Sequence, residues 1–481
     1  MGTITPESYR PYRDLPGIAG ICTIAEASRT AFSVEECVRR LKRHHWAFKR
    51  LHDVFIRHLT AEPIYELKMG FSLHAHYCAE HAGSWRKRVG EMREPPLGLD
   101  NPPDKALEAF FDEIACAPDT AALLVGVYGH AIPALLDALR RHRDGTNRLV
   151  DHPSYRICRF ALLEFEEVAE YGSRCIAALV DPGRHAELKP WESHLDDLLA
   201  QAGRLDGSEP ARAAANGPSR IFSASARAYD GVPRRDGRFP DPYNMGVHAE
   251  AFLYDPKFPP KPKTLMMYYK RLREIDVPEL MASIIAETHG KPWGYYADMT
   301  RQLWDEARHA MMGEVGFVLA GIDWGRLVRV NFTSSLTLNT QLTPLERHAV
   351  LYFIEQGLMP KTGKRFEWEV AKDSGDAYAT MIQDYDWADE VLHAYIGREW
   401  FVRPYGEAKK AIEYGDASWS KIVIDWSGYR NKGLTQHENW WPKLYDEWCA
   451  ANGEKPDPDV RAFSTSYSAS RADLKDVSVS A

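Results

Sequence analysis

Cysteine is scarce in this 481-residue chain and is not arranged for chemistry. The seven residues (Cys22, Cys37, Cys78, Cys116, Cys158, Cys175, Cys449) are scattered, odd in number and form no CxxC. That usage excludes a disulfide framework and predicts reduced, mostly buried thiols in a cytoplasmic protein. Long apolar runs are missing too: no stretch is read as reaching the length of a membrane span. The opening MGTITPESYRPYRDLPG lacks the basic-then-apolar order of a signal peptide. Nor is there an excess of positive charge. The formal net charge of −8 gives no electrostatic reason to expect nucleic acid, and basic runs such as Arg39 to His45 read as solvated helix faces. No nucleophile elbow, P-loop or dinucleotide fingerprint occurs, which argues against nucleophilic and nucleotide-dependent enzymes. Strand-like alternation is also absent, leaving an all-α protein as the expectation.

What the chain does have is amphipathic helix in quantity. Residues 1–32 read as an N-terminal extension and 33–181 as a helical bundle. Ser33, with Glu36 three residues on, gives the bundle a capping-box start. Residues 182–263 turn rich in Gly, Pro and charge, and read as a linker or wrapping segment with one short helix near Trp191 to Ala202. A second helical domain spans 264–405. Residues 406–481 form a C-terminal extension whose Ser-rich end, from about Asn452, reads as loosely ordered.

Within the second helical domain the sequence Asp-Glu-x-x-His appears twice, at Asp305-Glu306-x-x-His309 and at Asp389-Glu390-x-x-His393. One Glu-x-x-His is expected by chance, but two copies each led by Asp are not. Residues three apart share a helix face, so each copy offers one carboxylate and one imidazole to one ion. The surroundings are apolar (Trp304, Ala307, Ala310 and Met311; Trp387, Ala388, Val391 and Leu392), and ionisable groups there are costly unless paired or metal-bound. Two such helices need one further Glu from each of two others to complete a dinuclear site. Oxygen-rich shells with one imidazole each suit iron or manganese.

Depth matching selects the other two acids. The midpoint of Glu279 and Glu306 falls at Pro292 to Trp293, on the turn signal THGKPW, whereas Glu287 lies about eight residues off, roughly 12 Å at helical rise. The midpoint of Glu355 and Glu390 falls at Lys372 to Asp373, beside the turn signal KDSGD. Glu346 and His348 stand in reserve. Asp305 and Asp389 are expected to hold the metal-bound imidazoles, either on their own helix or across the interface. Arg308 either neutralises these aspartates or faces outward.

These motifs resemble the paired DExxH of the ferritin-like di-iron carboxylate superfamily, particularly the DExRH form of bacterial multicomponent monooxygenases. The order ELMA (Glu279 to Ala282), DEARH, Glu355, DEVLHAYIGREWF is also similar to uncharacterised bacterial ferritin-like proteins. The resemblance covers about 278–401. It implies a ferritin-like four-helix bundle and the ligand set Glu279, Glu306, His309, Glu355, Glu390 and His393. It also implies two Fe ions, with Mn or mixed Fe/Mn as alternatives. The N-terminal bundle, with Glu66, His74, Glu80, His81, Glu164, Glu167 and Glu170 but no Glu-x-x-His, is either a degenerate ferritin-like bundle or an unrelated helical domain that supports the second or builds a homodimer. His44, His45, His52 and His58 are too irregularly spaced to read as ligands.

The functional expectation is an oxidoreductase that activates dioxygen to oxidise or hydroxylate a small organic substrate, fed by an electron donor. The alternatives are a metal-storage protein and a scaffold with a vestigial site. Trp304, Tyr378, Tyr385 and Trp387 are candidates to line a pocket or pass electrons, and for each of them core packing is the simpler role.

Overall fold

A computed structural model of the chain describes residues 4–93, 98–212, 217–225, 227–360, 363–423, 429 and 431–467. Among these residues every regular element is helical and no strand occurs. The chain separates into two compact units, Met1–Phe55 with His74–Ala228, and Ile56–Leu73 with Tyr229–Ala481. This partition cuts across the expected linker, giving 182–228 to the first unit and the remainder to the second.

The first unit is built on α1 (Val34–Leu59), α2 (Tyr65–Glu91), α3 (Lys105–Ala115), α4 (Ile132–Gly145), α5 (His152–Leu179) and α6 (Pro182–Gln201). The tip of the α1–α2 pair belongs to the second unit. Ser33 Oγ accepts from the Glu36 N–H at 3.2 Å, while the Glu36 carboxylate turns to Arg39 and Arg40. Leu41, Phe48 and Leu51 recur on the buried face of α1 and meet a core that includes Trp85 and Phe165. The short helix expected near Trp191 is instead the 20-residue α6, which starts on the Asp181 N-cap and accommodates Pro190. A Pro in the first turn needs no N–H partner, so Pro182 starts the helix rather than marking a linker.

One sequence expectation fails here. Thr120–Gly145 contains an 18-residue window, of mean hydropathy 1.6, that is long and apolar enough to cross a membrane. It lies mostly buried in the first unit, with Leu123, Leu124, Val127, Leu135 and Leu139 in the core. The helical pattern of this segment continues through Gly126 and Gly129 in a π-helical stretch, Val125–Ala131, and past Pro133 into α4.

The second unit contains α7 (Pro260–Arg273), α8 (Asp276–Glu287), α9 (Trp293–Leu319), α10 (Thr333–Gln341), α11 (Pro344–Gly357), α12 (Lys364–Ser374), α13 (Ala377–Gly397), α14 (Ala408–Val423) and α15 (Trp441–Asn452). Two glycines set how α7 meets α9. A Cβ at Gly313 would lie 2.3 Å from the Leu272 nitrogen, and one at Gly316 would lie 2.2 Å from the Tyr268 ring. The backbones can approach this closely only because no side chain intervenes. The C-terminal region is no loose tail up to Phe463. Trp440, Trp441, Leu444, Val460 and Phe463 are buried in the same core as Phe252, Phe258 and Tyr269. Their large apolar surfaces supply the burial that a Ser-rich composition hides. Residues 468–481 lie outside the described residues.

Candidate metal centre

Both Asp-Glu-x-x-His motifs fall in long helices, the first in α9 and the second in α13, so the spacing of three does what it does in any helix and stacks Glu over His. Their side chains meet in the interior of the second unit. Glu306, Glu355, Glu390 and His393, all buried, present ligand atoms within 4.8 Å of one another. A second group, Glu274, His309 and Asp386, does the same. Glu306 faces both groups, with Oε1 3.1 Å from His393 Nδ1 and Oε2 3.5 Å from His309 Nδ1. The two imidazole centroids are 6.0 Å apart.

Five atoms of this cluster are buried without a hydrogen-bond partner: Glu274 Oε2, His309 Nδ1, Glu355 Oε2, Glu390 Oε2 and His393 Nδ1. Buried polar atoms are almost always satisfied, and each exception costs about 1–3 kcal/mol. Five exceptions converging from four helices form a candidate donor set for a cation. Three carboxylate oxygens and two imidazole nitrogens in such an arrangement would suit iron or manganese better than zinc or copper.

The far ring nitrogens settle what Asp305 and Asp389 do. His309 Nε2 is 3.1 Å from Asp389 Oδ2, and His393 Nε2 is 3.5 Å from Asp305 Oδ2. Each aspartate therefore serves the histidine of the other motif, holding Nδ1 toward the carboxylates. Arg308 faces inward and joins the two, pairing with Asp305 and, at 2.8 Å, with Asp389. These pairs and the cluster set the ionisation of the metal-free site. Burial opposes a charge on His309, but Asp389, Glu274 and Glu306 outweigh it and carry the imidazole up to about 10. For His393 burial is outweighed in the same way by Asp305, Glu306 and Glu390, which raise it well above its ordinary value. Burial, reinforced by Glu390, pushes the Glu355 carboxyl well up. Burial also works against Glu390, yet Lys364 beside it draws that carboxylate well down. Protons thus take up the charge that a cation would otherwise balance.

Glu279 is placed differently from the expectation. It lies outside both groups, with its carboxylate held by Lys68 at 2.7 Å, by Arg235 at 3.0 Å and by the Ser335 hydroxyl at 2.7 Å. Burial alone would raise its pKa, but Arg235 and Lys68 hold it below the usual value. The acid opposite His309 is Glu274, the C-cap of α7. Depth matching could not separate the two, because the midpoint of Glu274 and Glu306 is Gly290, in the same turn. The separation comes from the helix break after Glu274 and from the tight α7–α9 crossing at Gly313 and Gly316, a small-residue signal present in the sequence. Glu355 does join the cluster, although the hairpin used to infer it does not exist, since α12 lies between α11 and α13 in the chain. Gln302 Nε2 donates to Glu355 Oε1 at 3.0 Å. Of the reserves, Glu346 caps α11 from Thr343 and pairs with Lys421, and His348 packs against Tyr295 and Phe401. Glu287 pairs with Arg347.

Sequence reading missed Glu274, Asp386, Lys364 and Arg271. Asp386 lies one turn before Glu390 and shares its face, a local signal that was available. Arg271 pairs with Asp386 and, at 2.7 Å, with Glu274. Lys364 Nζ lies 2.7 Å from Glu390 and 2.9 Å from Asp386. Nothing near Lys364 in the sequence announces that role.

A cavity of about 350 Å³ opens on the carboxylate side of the cluster. Glu274, Glu306, Glu355 and Glu390 form part of its wall, with Val277, Leu280, Leu338, Ile354 and Leu358 supplying apolar surface. Neither histidine lines it. The aromatic residues singled out in sequence lie elsewhere: Tyr378 donates to the Met312 carbonyl, Trp387 packs on Trp368, Tyr385 is exposed and Trp304 is partly buried against the core. Tyr254 and Trp419 are among the aromatics at the cavity.

The first unit gathers a smaller set, Cys37, His142 and Asp151. Its atoms are already paired: the Cys37 thiol donates to Asp151 at 3.1 Å, Arg88 holds Asp151 at 2.7 Å, and His142 Nδ1 meets His44 Nε2 at 3.0 Å. His44, His45 and His52 are buried, and burial pushes His45 and His52 down to about 4. His81 pairs with Glu164 at 2.6 Å and His74 with the Tyr128 hydroxyl at 2.7 Å, while Glu66, in the second unit, pairs with Arg238. Glu80, Glu167 and Glu170 join no ligand group among the described residues. Comparison with family models, curated proteins and solved structures finds no match for the chain.

Proposed function

We propose that the second unit carries the active site of a non-haem dinuclear-metal oxidoreductase, di-iron or alternatively manganese or mixed Fe/Mn, that uses dioxygen to oxidise or hydroxylate a small organic substrate. The observation that carries this reading is the convergence of five unpartnered buried ligand atoms beside a largely apolar cavity. A reduced metal pair held there would supply the electrons for dioxygen activation, with an external donor restoring them.

The chain's own residues account for the rest. Glu274 with His309, and Glu355, Glu390 with His393, would hold the ions, and Glu306, which faces both histidines, would contribute its carboxylate to the pair. Asp389 and Asp305 fix the imidazoles from behind, so the Nε2 atom of each ring is committed and Nδ1 is left toward the carboxylates. The apolar wall of Val277, Leu280, Leu338 and Ile354 binds the carbon skeleton of the substrate and excludes water from the reacting face. An alternative role in metal storage has less support, because storage does not require an organic-sized cavity against the ligands.

Metal content of the full chain, expressed in iron- and manganese-supplemented medium, is the first test. Near two transition metals per chain, lost in His309→Ala/His393→Ala, is the expected result. It would be followed by dioxygen-uptake measurements against a panel of small apolar compounds. Equal and negligible metal in both proteins overturns the reading.

A further inference from the structure

We propose that the two cation positions are unequal, and that Lys364 is the residue that makes the His309 position the weaker one. The inference rests on the dinuclear reading above. The Lys364 side chain is fully buried, and its ammonium lies 2.7 Å from Glu390 Oε1, 2.9 Å from Asp386 Oδ1 and 3.8 Å from Glu274 Oε1. Two of these carboxylates, Glu274 and Asp386, stand beside His309 Nδ1, 3.5 Å from Glu274 Oε2 and from Asp386 Oδ1, while Glu390 belongs to the His393 group. The ammonium thus occupies the carboxylate cage as a cation would. Arg271 adds a second fixed positive charge on Glu274 and Asp386.

The His393 position differs. Glu306 and Glu355 carry no Lys or Arg partner in the cluster, since Glu355 is held by the neutral Gln302, and only the Oε1 atom of Glu390 is taken. Both carboxylates unique to the His309 group are therefore paired with protein cations, whereas in the His393 group Glu390 alone is, and through one oxygen. Like charges a few ångströms apart repel strongly in a buried site, so a dication entering beside His309 must displace Lys364 or bind against it.

The backbone is built to deliver this lysine. It is the first residue of α12, and the N–H groups of Gly363 and Lys364 return to the carbonyls of Pro360 and Leu358. A Cβ at Gly363 would lie 2.3 Å from the Leu358 oxygen, so only glycine permits the turn that inserts the next residue into the site.

The test is an anaerobic Mn(II) titration of the metal-free full chain, with bound and free ion read by electron paramagnetic resonance. Wild type is expected to bind one equivalent tightly and a second at least about tenfold more weakly. Lys364→Met should tighten the second equivalent by about 10- to 100-fold, the range over which groups behind metal ligands act, while Lys364→Arg should not. His309→Ala should remove only the weak equivalent and His393→Ala the tight one. Two equal equivalents in wild type, or no change in Lys364→Met judged folded by circular dichroism, overturns the inequality and leaves the dinuclear reading standing. Absence of any binding, by Mn(II) or by Fe(II), overturns both.

Discussion

Glu274, half-buried, and Glu279, fully buried, are five residues apart, and neutralising each should have opposite consequences. Glu279→Gln removes the only carboxylate among the described residues that pairs with Lys68, and one of two that hold Arg235, the other being Asp276. It leaves a buried ammonium without a counter-ion, and breaking a buried pair in this way costs about 3–5 kcal/mol. For a unit of this size that corresponds to a melting temperature lower by roughly 10 °C. Metal binding should remain within about threefold of wild type, because no ligand is touched. Glu274→Gln removes a carboxylate that Arg271 and Lys364 stabilise but leaves both cations paired with Asp386, so its cost to metal-free stability should be smaller, about 1–2 kcal/mol. It removes a charged ligand beside His309, however, and should abolish or severely weaken the second metal equivalent. Thermal unfolding of both metal-free variants, together with metal titration, separates the two roles. If Glu279→Gln lost metal and kept its stability while Glu274→Gln did the reverse, the assignment of Glu274 to the site would be wrong.

Other outcomes follow from the same geometry. Asp305→Asn and Asp389→Asn should each weaken metal binding about 10- to 100-fold. The loss should fall on the position of the opposite motif's histidine, which site-selective loss in the single-His backgrounds would reveal. Metal affinity should rise with pH across the neutral range, with uptake releasing protons from His309, His393 and Glu355, measured as base consumed in a weakly buffered titration. In the metal-free protein the raised histidines contribute stability that is fully present below about pH 6.5, the unfolded value. It declines as pH rises toward about 10, on the order of 1 kcal/mol per pH unit per group. A melting temperature that climbed steadily from pH 7 to 9 in the absence of metal would contradict this. Gly313→Ala forces α7 away from α9 and should cost about 1–3 kcal/mol, while also weakening the second metal equivalent through the displaced Glu274.

The parts of the site legible in sequence were those governed by local periodicity. The two Asp-Glu-x-x-His segments needed only the helical repeat, and Glu306, His309, Glu390 and His393 do come together. Long-range placement was another matter. Glu274 and Glu279 fit the same turn equally well, and what distinguishes them is a helix break and a glycine-mediated crossing. Lys364 is brought in by a turn whose function depends on an oxygen contact at Gly363. The destination of Glu279 was hidden for a similar reason, since its partners Lys68 and Arg235 come from 211 and 44 residues away. Composition misled twice more, at Pro182 and in the tail. A proline that begins α6, and a Ser-rich stretch from which Val460 and Phe463 enter the core, look in composition like ends of structure.

The crossed pairing of Asp305 with His393 and of Asp389 with His309 has a consequence for how the second unit assembles. Neither repeat is self-sufficient: each contributes the hinge-pin for the other's ring, and Arg308 ties both pins together. Sliding α13 along α9 by one turn, about 5.4 Å, would unlatch both imidazoles at once instead of leaving one correct half. The arrangement therefore works as a register check, in which a single misalignment is reported at two places. A duplication of the segment within one helix would yield four ligands and no lock. Facing helices are required, and these two acquire a usable site together or not at all.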